Sequence, residues 1–238
     1  THPRELLEKH GLLSMQEAIY KLHFADDFDQ INKALERIKY EELLQYQLSM
    51  KYLHYMREQD HNCPVINYDL KLLEKLNANL SYELTQDQKL AINDILTDLK
   101  APYAMNRLLQ GEVGSGKTIV AEMAILATVS GGYQAALMCP TEILSNQHYE
   151  TLIETFKDFD GVKLGILTGS TSVKDRNEII EKLKNGDINV IVGTHALFQS
   201  DVEYQNLALV VTDEEHRFGV HQRVMIKNKG LAVNYLKM

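Results

Sequence analysis

The run Gly111-Glu112-Val113-Gly114-Ser115-Gly116-Lys117-Thr118 has the residue types and spacing of a nucleotide-binding loop. It matches G-x-x-x-x-G-K-[ST] in full, between a plausible strand at 107–110 and a helical pattern that begins near Lys117. Its glycines let backbone N–H groups, including that of Ser115, turn toward phosphate oxygens. We expect Lys117 to contact the β- and γ-phosphates and Thr118 to hold Mg²⁺. The loop therefore predicts binding of ATP or GTP.

A second cluster, Asp213-Glu214-Glu215-His216, follows an apolar run at 208–212. In open α/β sheets, ligands bind at the carboxyl ends of strands. Asp213 is placed to hold Mg²⁺, and Glu214 is placed to act as the general base that polarises the attacking water. The alternative is a helix N-terminus, where acidic residues are common because of the helix dipole. The spacing of about a hundred residues after a phosphate-binding loop favours the catalytic interpretation.

Residues 81–238 alternate short apolar runs with helical segments, which predicts a parallel sheet built from βαβ units. We predict strands at 105–110, 135–139, 162–167, 190–193 and 208–212, and helices at 117–130, 142–156 and 174–185. A further strand begins near residue 233. The predicted fold class is α/β, a P-loop NTPase domain with a central, mainly parallel sheet.

Three turns that follow predicted strands carry hydroxyl groups: Pro140-Thr141, Gly169-Ser170 and Gly193-Thr194. Hydroxyls and backbone N–H groups at such positions can bind a nucleic-acid backbone without reading its sequence. Each turn alone could equally be an ordinary helix cap. Three of them on one edge of a sheet predict a shared track for a phosphate backbone.

Residues 1–80 are predicted to be helical and to act as a linker or brace, before the α/β domain at 81–238. Ser14 and Glu17 form a capping box, apolar residues recur at helical spacing from about Phe28 to Met56, and a short helix follows at 69–79. The segment 58–68 is predicted to interrupt the helices. No catalytic cluster lies in this region.

Composition sets outer limits on the function. The 238 residues are 45% hydrophobic and 24% charged, with a net charge of −8, so a DNA-binding face would have to be local. The two cysteines are far apart, and no apolar run is long enough to span a membrane. We expect a cytoplasmic monomer in a reducing compartment.

The chain resembles RecG helicases of superfamily two. Asp213-Glu214-Glu215-His216 is similar to a DExH box, and the run at 217–223 (RFGVHQR) resembles the RFGVxQR run of that family, whose box is usually DEQH. Further similarities lie in Pro140-Thr141-Glu142-Ile143-Leu144 with Gln147-His148, in Leu167-Thr168-Gly169-Ser170, and in Gly193-Thr194-His195-Ala196-Leu197.

The resemblance implies additional roles and partners. Leu84-Thr85-x-x-Gln88 is similar to the family's adenine-recognising element, with Tyr82 placed to stack on the base. His195 would join the DNA-binding turns, and His216 would sense the γ-phosphate. The fold implied is a RecA-like motor domain after a helical linker, acting with a second RecA-like domain and a wedge domain on branched DNA. A chain holding one motor domain alone is expected to be weakly active or inactive.

Other functions remain open at this point. A transcription-repair coupling translocase shares an RFGV-like run, and a primosome-type helicase shares a DEEH box. A non-helicase P-loop phosphotransferase, or a module that only binds nucleotide, is also compatible with the loop at 111–118.

Overall fold

The computed structural model describes residues 4–59, 62–213 and 233–238. The α-helices within them are α1 (Arg4–Lys9), α2 (Met15–His23), α3 (Phe28–Gln59), α4 (Leu70–Asn79), α5 (Gln86–Leu99), α6 (Lys117–Ser130), α7 (Glu142–Phe156) and α8 (Val173–Asn185). The strands are β1 (Asn106–Leu108), β2 (Gln134–Met138), β3 (Leu164–Leu167), β4 (Val190–Gly193), β5 (Leu207–Thr212) and β6 (Asn234–Lys237). A 3₁₀ helix at His195–Phe198 follows β4.

The chain forms two compact units, Thr1–Arg57 and Glu58–Met238. The boundary expected after residue 80 therefore lies downstream of the division in the structure. The reason is α4, which packs against α6 and buries Leu73 and Leu76 in the core of the second unit. The segment 69–79 belongs by its packing to the second unit.

The first unit is helical, as predicted. The capping box of Ser14 and Glu17 starts α2, with the Glu17 N–H donating to Ser14 Oγ and the Ser14 N–H to Glu17 Oε2. Arg37, buried on α3, pairs with Glu41 at 2.6 Å. Leu43 and Leu53, which belong to the helical pattern of α3, are more than 60% exposed.

The second unit is a six-stranded, all-parallel sheet with the order β1-β6-β5-β2-β4-β3. This confirms the α/β fold class with its central parallel sheet. Strands β2, β4 and β5 are buried along their whole length, which explains why their sequences are nearly continuous apolar runs. Helix α6 is apolar on most sides, and ten of its residues are buried.

The carboxyl ends of all six strands meet at one edge of the sheet, because every strand pair is parallel. The loop at 109–116 follows β1, and Asp213 follows β5. The turns at 139–141, 168–172 and 194 follow β2, β3 and β4, which are neighbours in the order β2-β4-β3. The sheet therefore brings the loop at 109–116, Asp213 and the three hydroxyl-bearing turns to one edge.

Helix α5 is absent from the sequence-based predictions, although its signal is present. Thr85 is its N-cap, and Thr85 and Gln88 form a T-x-x-Q capping box with both reciprocal hydrogen bonds. The 3₁₀ helix after β4 is also unpredicted. Among the described residues, no helix is both long and apolar enough to cross a membrane.

Candidate nucleotide site and nucleic-acid edge

The loop at 109–116 joins β1 to α6 and wraps around the amine of Lys117. Lys117 Nζ donates to the carbonyl oxygens of Gly111 at 2.8 Å and Glu112 at 3.0 Å. Gly116, the N-cap of α6, has φ 77°, a conformation that disfavours any residue with a Cβ. The helix therefore begins at Lys117, directly after a glycine-rich loop, and such helix N-termini are common phosphate-binding sites.

Gln88 connects α5 to this loop. Its Nε2 donates to the carbonyl oxygen of Ser115 at 2.9 Å, while its Oε1 accepts from the N–H of Thr85 at 2.8 Å. A Cβ on Gly116 would lie 2.3 Å from Gln88 Nε2, so this contact also requires glycine there. The amide of Gln88 thus supports the phosphate-binding loop directly.

Tyr82 lies beside the start of α5, with 53% of its surface exposed. It lines an open groove together with Asn77, Leu80 and Lys89. Burial of the phenol, and next the charge of Glu122, raise its pKa. An exposed aromatic face in a groove is compatible with stacking on a base.

Asp213 lies at the end of β5, two strands from β1 and next to β2. Two strand spacings correspond to about 10 Å, so Asp213 stands between the loop at 109–116 and the turns of β2, β4 and β3. Its N–H donates to the carbonyl oxygen of Met138 at 2.9 Å. Its carboxylate Oδ2 lies 3.0 Å from Nε2 of His148 on α7.

A thiol also lies close to Asp213. Cys139 is buried at the end of β2, and burial raises the pKa of its thiol to about 12, with a further contribution from the negative charge of Asp213. The thiol is therefore protonated at neutral pH. It contributes a neutral, apolar wall beside the carboxylate.

The predicted nucleic-acid turns are adjacent, but their side chains differ in accessibility. Thr141, Gly169, Ser170 and His195 are exposed, and Pro140 is half-buried. The hydroxyl of Thr141 caps α7 by accepting from the N–H of Leu144 at 3.3 Å.

Gly193 and Thr194 are buried, in contrast to the other members of the edge. A Cβ on Gly193 would lie 2.0 Å from the carbonyl oxygen of Leu167, so close packing of β3 on β4 requires this glycine. Thr194 Oγ1 is buried and has no hydrogen-bond partner among the described residues. In this structure the accessible edge is therefore formed by the turns after β2 and β3 together with His195.

Glu142 joins two of these turns. Its Oε1 accepts from the N–H of Ser170 at 2.9 Å, and it stands in the first turn of α7, where the helix dipole favours a negative charge. The sequence predicts that the turn at Gly169-Ser170 contacts a phosphate. In the structure the Ser170 N–H donates instead to the carboxylate of Glu142, which lies on the same edge.

The remaining predicted residues, Glu214 and His216, lie outside the described residues. So does the run at 217–223 that carries part of the family resemblance. Within the described residues, no group of three or more His, Cys, Asp or Glu side chains is arranged to hold a metal ion.

The sequence model of the DEAD/DEAH box helicase family matches residues 85–232, which is more than half of the chain. The chain belongs to the DEAD/DEAH box helicase family. The matched range contains Gln88, the loop at 111–118 and Asp213-Glu214-Glu215-His216. This agrees with the superfamily that these motifs resemble.

Relatives at higher identity are named ATP-dependent DNA helicase RecG. The protein from Streptococcus pneumoniae is 43% identical over 236 residues, which cover 99% of this chain and 35% of the relative. The protein from Thermotoga maritima is 44% identical over 238 residues, which cover 100% of this chain and 30% of the relative. The chain therefore spans about a third of the length of these helicases.

Solved structures agree with this assignment. A structure of RecG bound to a three-way DNA junction superposes with a TM-score of 0.85 at 42% identity, covering 100% of this chain and 32% of that one. The helicase MrfA superposes with a TM-score of 0.56 at 17% identity, covering 72% of this chain and 29% of that one. The second likeness shows the fold alone.

The structure also reveals a buried carboxylate that the sequence analysis does not single out. Glu122 on α6 is buried, accepts a hydrogen bond from Thr155 on α7 at 3.3 Å, and is near His148 and Tyr82. Burial raises the pKa of Glu122 from 4.5 to about 7, although the Thr155 bond and His148 act in the opposite direction. An acidic residue within an otherwise apolar helix is the only sequence signal for it.

The hydrogen bond between Gln88 and the loop predicts that loss of its donor weakens nucleotide binding without destabilising the fold. Gln88→Glu keeps the oxygen that caps α5 but removes the Nε2–H donor to Ser115. A hydrogen bond is worth about 0.5–1.5 kcal/mol, so ATP affinity should fall roughly 2–12-fold with little change in thermal stability. Titration with a fluorescent ATP analogue, together with thermal unfolding, measures both quantities.

The control is Gln86→Glu, which adds the same charge at an exposed position of α5. If both variants weaken ATP binding equally, charge rather than the Ser115 contact explains the effect. Unchanged affinity of Gln88→Glu would contradict the role of Gln88.

Proposed function

We propose that this chain is the ATP-binding and ATP-hydrolysing part of a DNA helicase or translocase that remodels branched DNA such as forks and four-way junctions. The observation that carries the proposal is the single edge of the parallel sheet, which holds the phosphate-binding loop, Asp213 and the predicted DNA turns. The likeness to RecG, and to its structure with a three-way DNA junction, supports DNA as the partner.

In this proposal the nucleotide is Mg-ATP. Lys117 and the backbone of Gly111, Gly114, Ser115 and Gly116 bind the phosphates, with Tyr82 and Gln88 on the adenine side. The Thr118 hydroxyl and the Asp213 carboxylate supply oxygen ligands, which suit Mg²⁺. One carboxylate is enough, because Mg²⁺ on nucleotides takes its other ligands from phosphates and water.

The chemical step is hydrolysis of the γ-phosphate. Glu214 is proposed to accept a proton from the attacking water, and His216 is proposed to respond to the γ-phosphate. When bound, Mg²⁺ neutralises charge that develops on the phosphate oxygens. From the end of β5, Asp213 would supply a carboxylate oxygen to the metal ion.

DNA is proposed to bind along the turns after β2, β4 and β3. Pro140, Thr141, Gly169, Ser170, Gly193, Thr194 and His195 form this edge. Contacts to phosphates carry no sequence information, so binding should depend on salt and be insensitive to sequence. The buried Gly193 and Thr194 contribute by shaping the turn rather than by direct contact.

The complete motor is proposed to be a cytoplasmic monomer in which a second RecA-like domain and a wedge domain act with this chain. Cationic groups from a second domain stabilise the transferred phosphoryl and are worth about 10³–10⁵ in rate where they have been measured. Alone, the chain should bind nucleotide and hydrolyse it slowly.

The experiment that tests this function compares the 238-residue chain with the longer protein that contains it. The chain should bind Mg-ATP, and the longer protein should hydrolyse ATP faster with a three-way junction than with linear duplex or without DNA. A P-loop phosphotransferase would bind ATP and show no dependence on DNA. Hydrolysis that no DNA stimulates would overturn the proposed function.

The carboxylate of Glu142 predicts a testable effect on DNA binding. Glu142→Gln keeps an acceptor for the Ser170 N–H and removes a negative charge from the proposed DNA edge. Unit charges about 4 Å apart in water interact by about 1 kcal/mol, so DNA affinity should rise roughly 2–5-fold at low salt. The gain should shrink at high salt because of screening.

Fluorescence anisotropy with a labelled junction at two salt concentrations measures this effect. Glu150→Gln is the matched control, because it removes the same charge from an exposed position further along α7. Weaker DNA binding by Glu142→Gln would contradict the prediction. It would show that the negative charge of Glu142 favours DNA binding through its bond to the Ser170 N–H.

A further inference from the structure

His148 is the side chain that contacts the carboxylate of Asp213 from α7. Its Nε2 lies 3.0 Å from Asp213 Oδ2, and the two side chains are only 13% and 21% exposed. Since an ionised carboxylate can only accept, the Nε2–H of His148 is the donor. The bond spans 65 positions of the sequence and joins α7 to the end of β5.

The contact restrains the orientation of the carboxylate. A bond to Oδ2 fixes the rotation of the carboxylate plane, while the backbone N–H of Asp213 is fixed by the carbonyl oxygen of Met138. The buried Cys139 thiol and the neighbouring strand β2 limit movement on that side. A metal ion that needs near-ideal octahedral geometry, as Mg²⁺ does, depends on such restraint.

Helix α7 does not need His148 to remain in place. Leu152 and Phe156 are buried in the core on the same helix, and Thr141 caps its first turn. The packing of α7 therefore does not account for His148, whereas its hydrogen bond to the Asp213 carboxylate does. Its position on α7 lies about 10 Å along the helix axis from Thr141 at the DNA edge, at 1.5 Å per residue.

We propose that His148 is a positioning residue that orients the Asp213 carboxylate for the metal ion of Mg-ATP. The inference rests on the proposed function, in which Asp213 is a metal ligand. Groups that hydrogen-bond to metal ligands typically change metal affinity by about 10–100-fold when they are removed. Since α7 also begins at the DNA edge, the same helix carries both a predicted DNA contact and the partner of the metal ligand.

The test measures how binding of a fluorescent ATP analogue to the 238-residue chain depends on Mg²⁺ concentration. His148→Phe keeps a ring of similar size but has no donor, so half-maximal binding should require roughly 10–100-fold more Mg²⁺. His148→Gln offers an Nε2–H to the same oxygen and should recover most of that loss. When a chelator removes Mg²⁺, the affinity for the ATP analogue should be equal in the parent chain, His148→Phe and His148→Gln.

Asn146→Ala, at an exposed position of α7, is the control and should behave as the parent chain. Thermal unfolding establishes that each variant is folded. If His148→Phe does not fold, His148→Met and His148→Gln give the same comparison, since both lose the ring and only the second keeps a donor.

Asp213→Asn separates the two possible failures. If Asp213→Asn shifts the Mg²⁺ dependence and His148→Phe does not, the inference is overturned while the proposed site stands. If Asp213→Asn leaves the Mg²⁺ dependence unchanged, Asp213 is not the metal ligand, and the proposed role and the inference are overturned together.

Discussion

Lys117→Ala should weaken ATP binding by roughly 10–150-fold. The Lys117 amine lies within the loop at 109–116, held by the carbonyl oxygens of Gly111 and Glu112, where it can bind phosphate oxygens. A hydrogen bond to a charged group is worth about 1.5–3 kcal/mol, and each 1.4 kcal/mol is a factor of ten in affinity. Isothermal titration calorimetry on both proteins measures the change.

The matched control is Lys157→Ala, which removes the same charge from an exposed position on the surface. Lys157 pairs there with Glu154, and exposed pairs contribute little to stability. This variant should bind ATP like the parent chain, with unfolding temperatures similar for all three proteins. Equal ATP affinity for Lys117→Ala and the parent chain would remove the nucleotide site from the loop.

Glu122→Gln should increase the free energy of unfolding relative to the parent chain, and this increase should be larger at high pH than at low pH. The pKa of Glu122 is raised from 4.5 to about 7 in the folded state because the carboxylate is buried. The folded state therefore binds more protons than the unfolded state between these values, and stability falls as the pH rises through that window. About one pH unit above 7 and higher, the buried charge is a constant cost on the order of 3 kcal/mol.

Glutamine carries no charge at any pH, so it removes this dependence. The groups that face the carboxylate are the Thr155 hydroxyl, the His148 ring and the Tyr82 phenol. The difference in free energy of unfolding between variant and parent should increase by about 2–3 kcal/mol from pH 5 to pH 8.

Denaturant unfolding at both pH values measures this difference. The control is Glu150→Gln, because Glu150 is an exposed carboxylate on α7 and its replacement should produce no comparable change. A difference between Glu122→Gln and the parent that is independent of pH would show that Glu122 is charged in the folded chain throughout this range.

Much of the fold could be predicted because the signals are local. Helices α6 and α7 have the predicted bounds, and β4 spans the predicted residues 190–193. Gly116 and Thr141 mark these helix starts by backbone conformation and capping, which depend on residues one turn away. The capping box at Thr85 and Gln88 is equally local, and it would have predicted α5.

The loop at 111–118, the carboxylate after β5 and the turns that follow β2, β3 and β4 could be predicted from the sequence, because spacing and strand periodicity reveal them. The contacts that these residues make could not be predicted, because they depend on the strand order and on the packing of the helices. The strand order β1-β6-β5-β2-β4-β3 places Asp213 beside β2 and brings α7 near it. The bonds of His148 to Asp213 and of Gln88 to Ser115 span 65 and 27 positions.

Such contacts are invisible to local patterns. The residues next to a histidine or glutamine in the sequence do not show which strand its helix packs against. That packing depends on how the whole sheet is buried and not on any single residue. The burial of Gly193 and Thr194 was not predictable for the same reason. Their sequence resembles that of an exposed hydroxyl-bearing turn, but the close approach of β3 and β4 buries it. Strand order and packing therefore decide which of the predicted site residues face solvent and which support them from within.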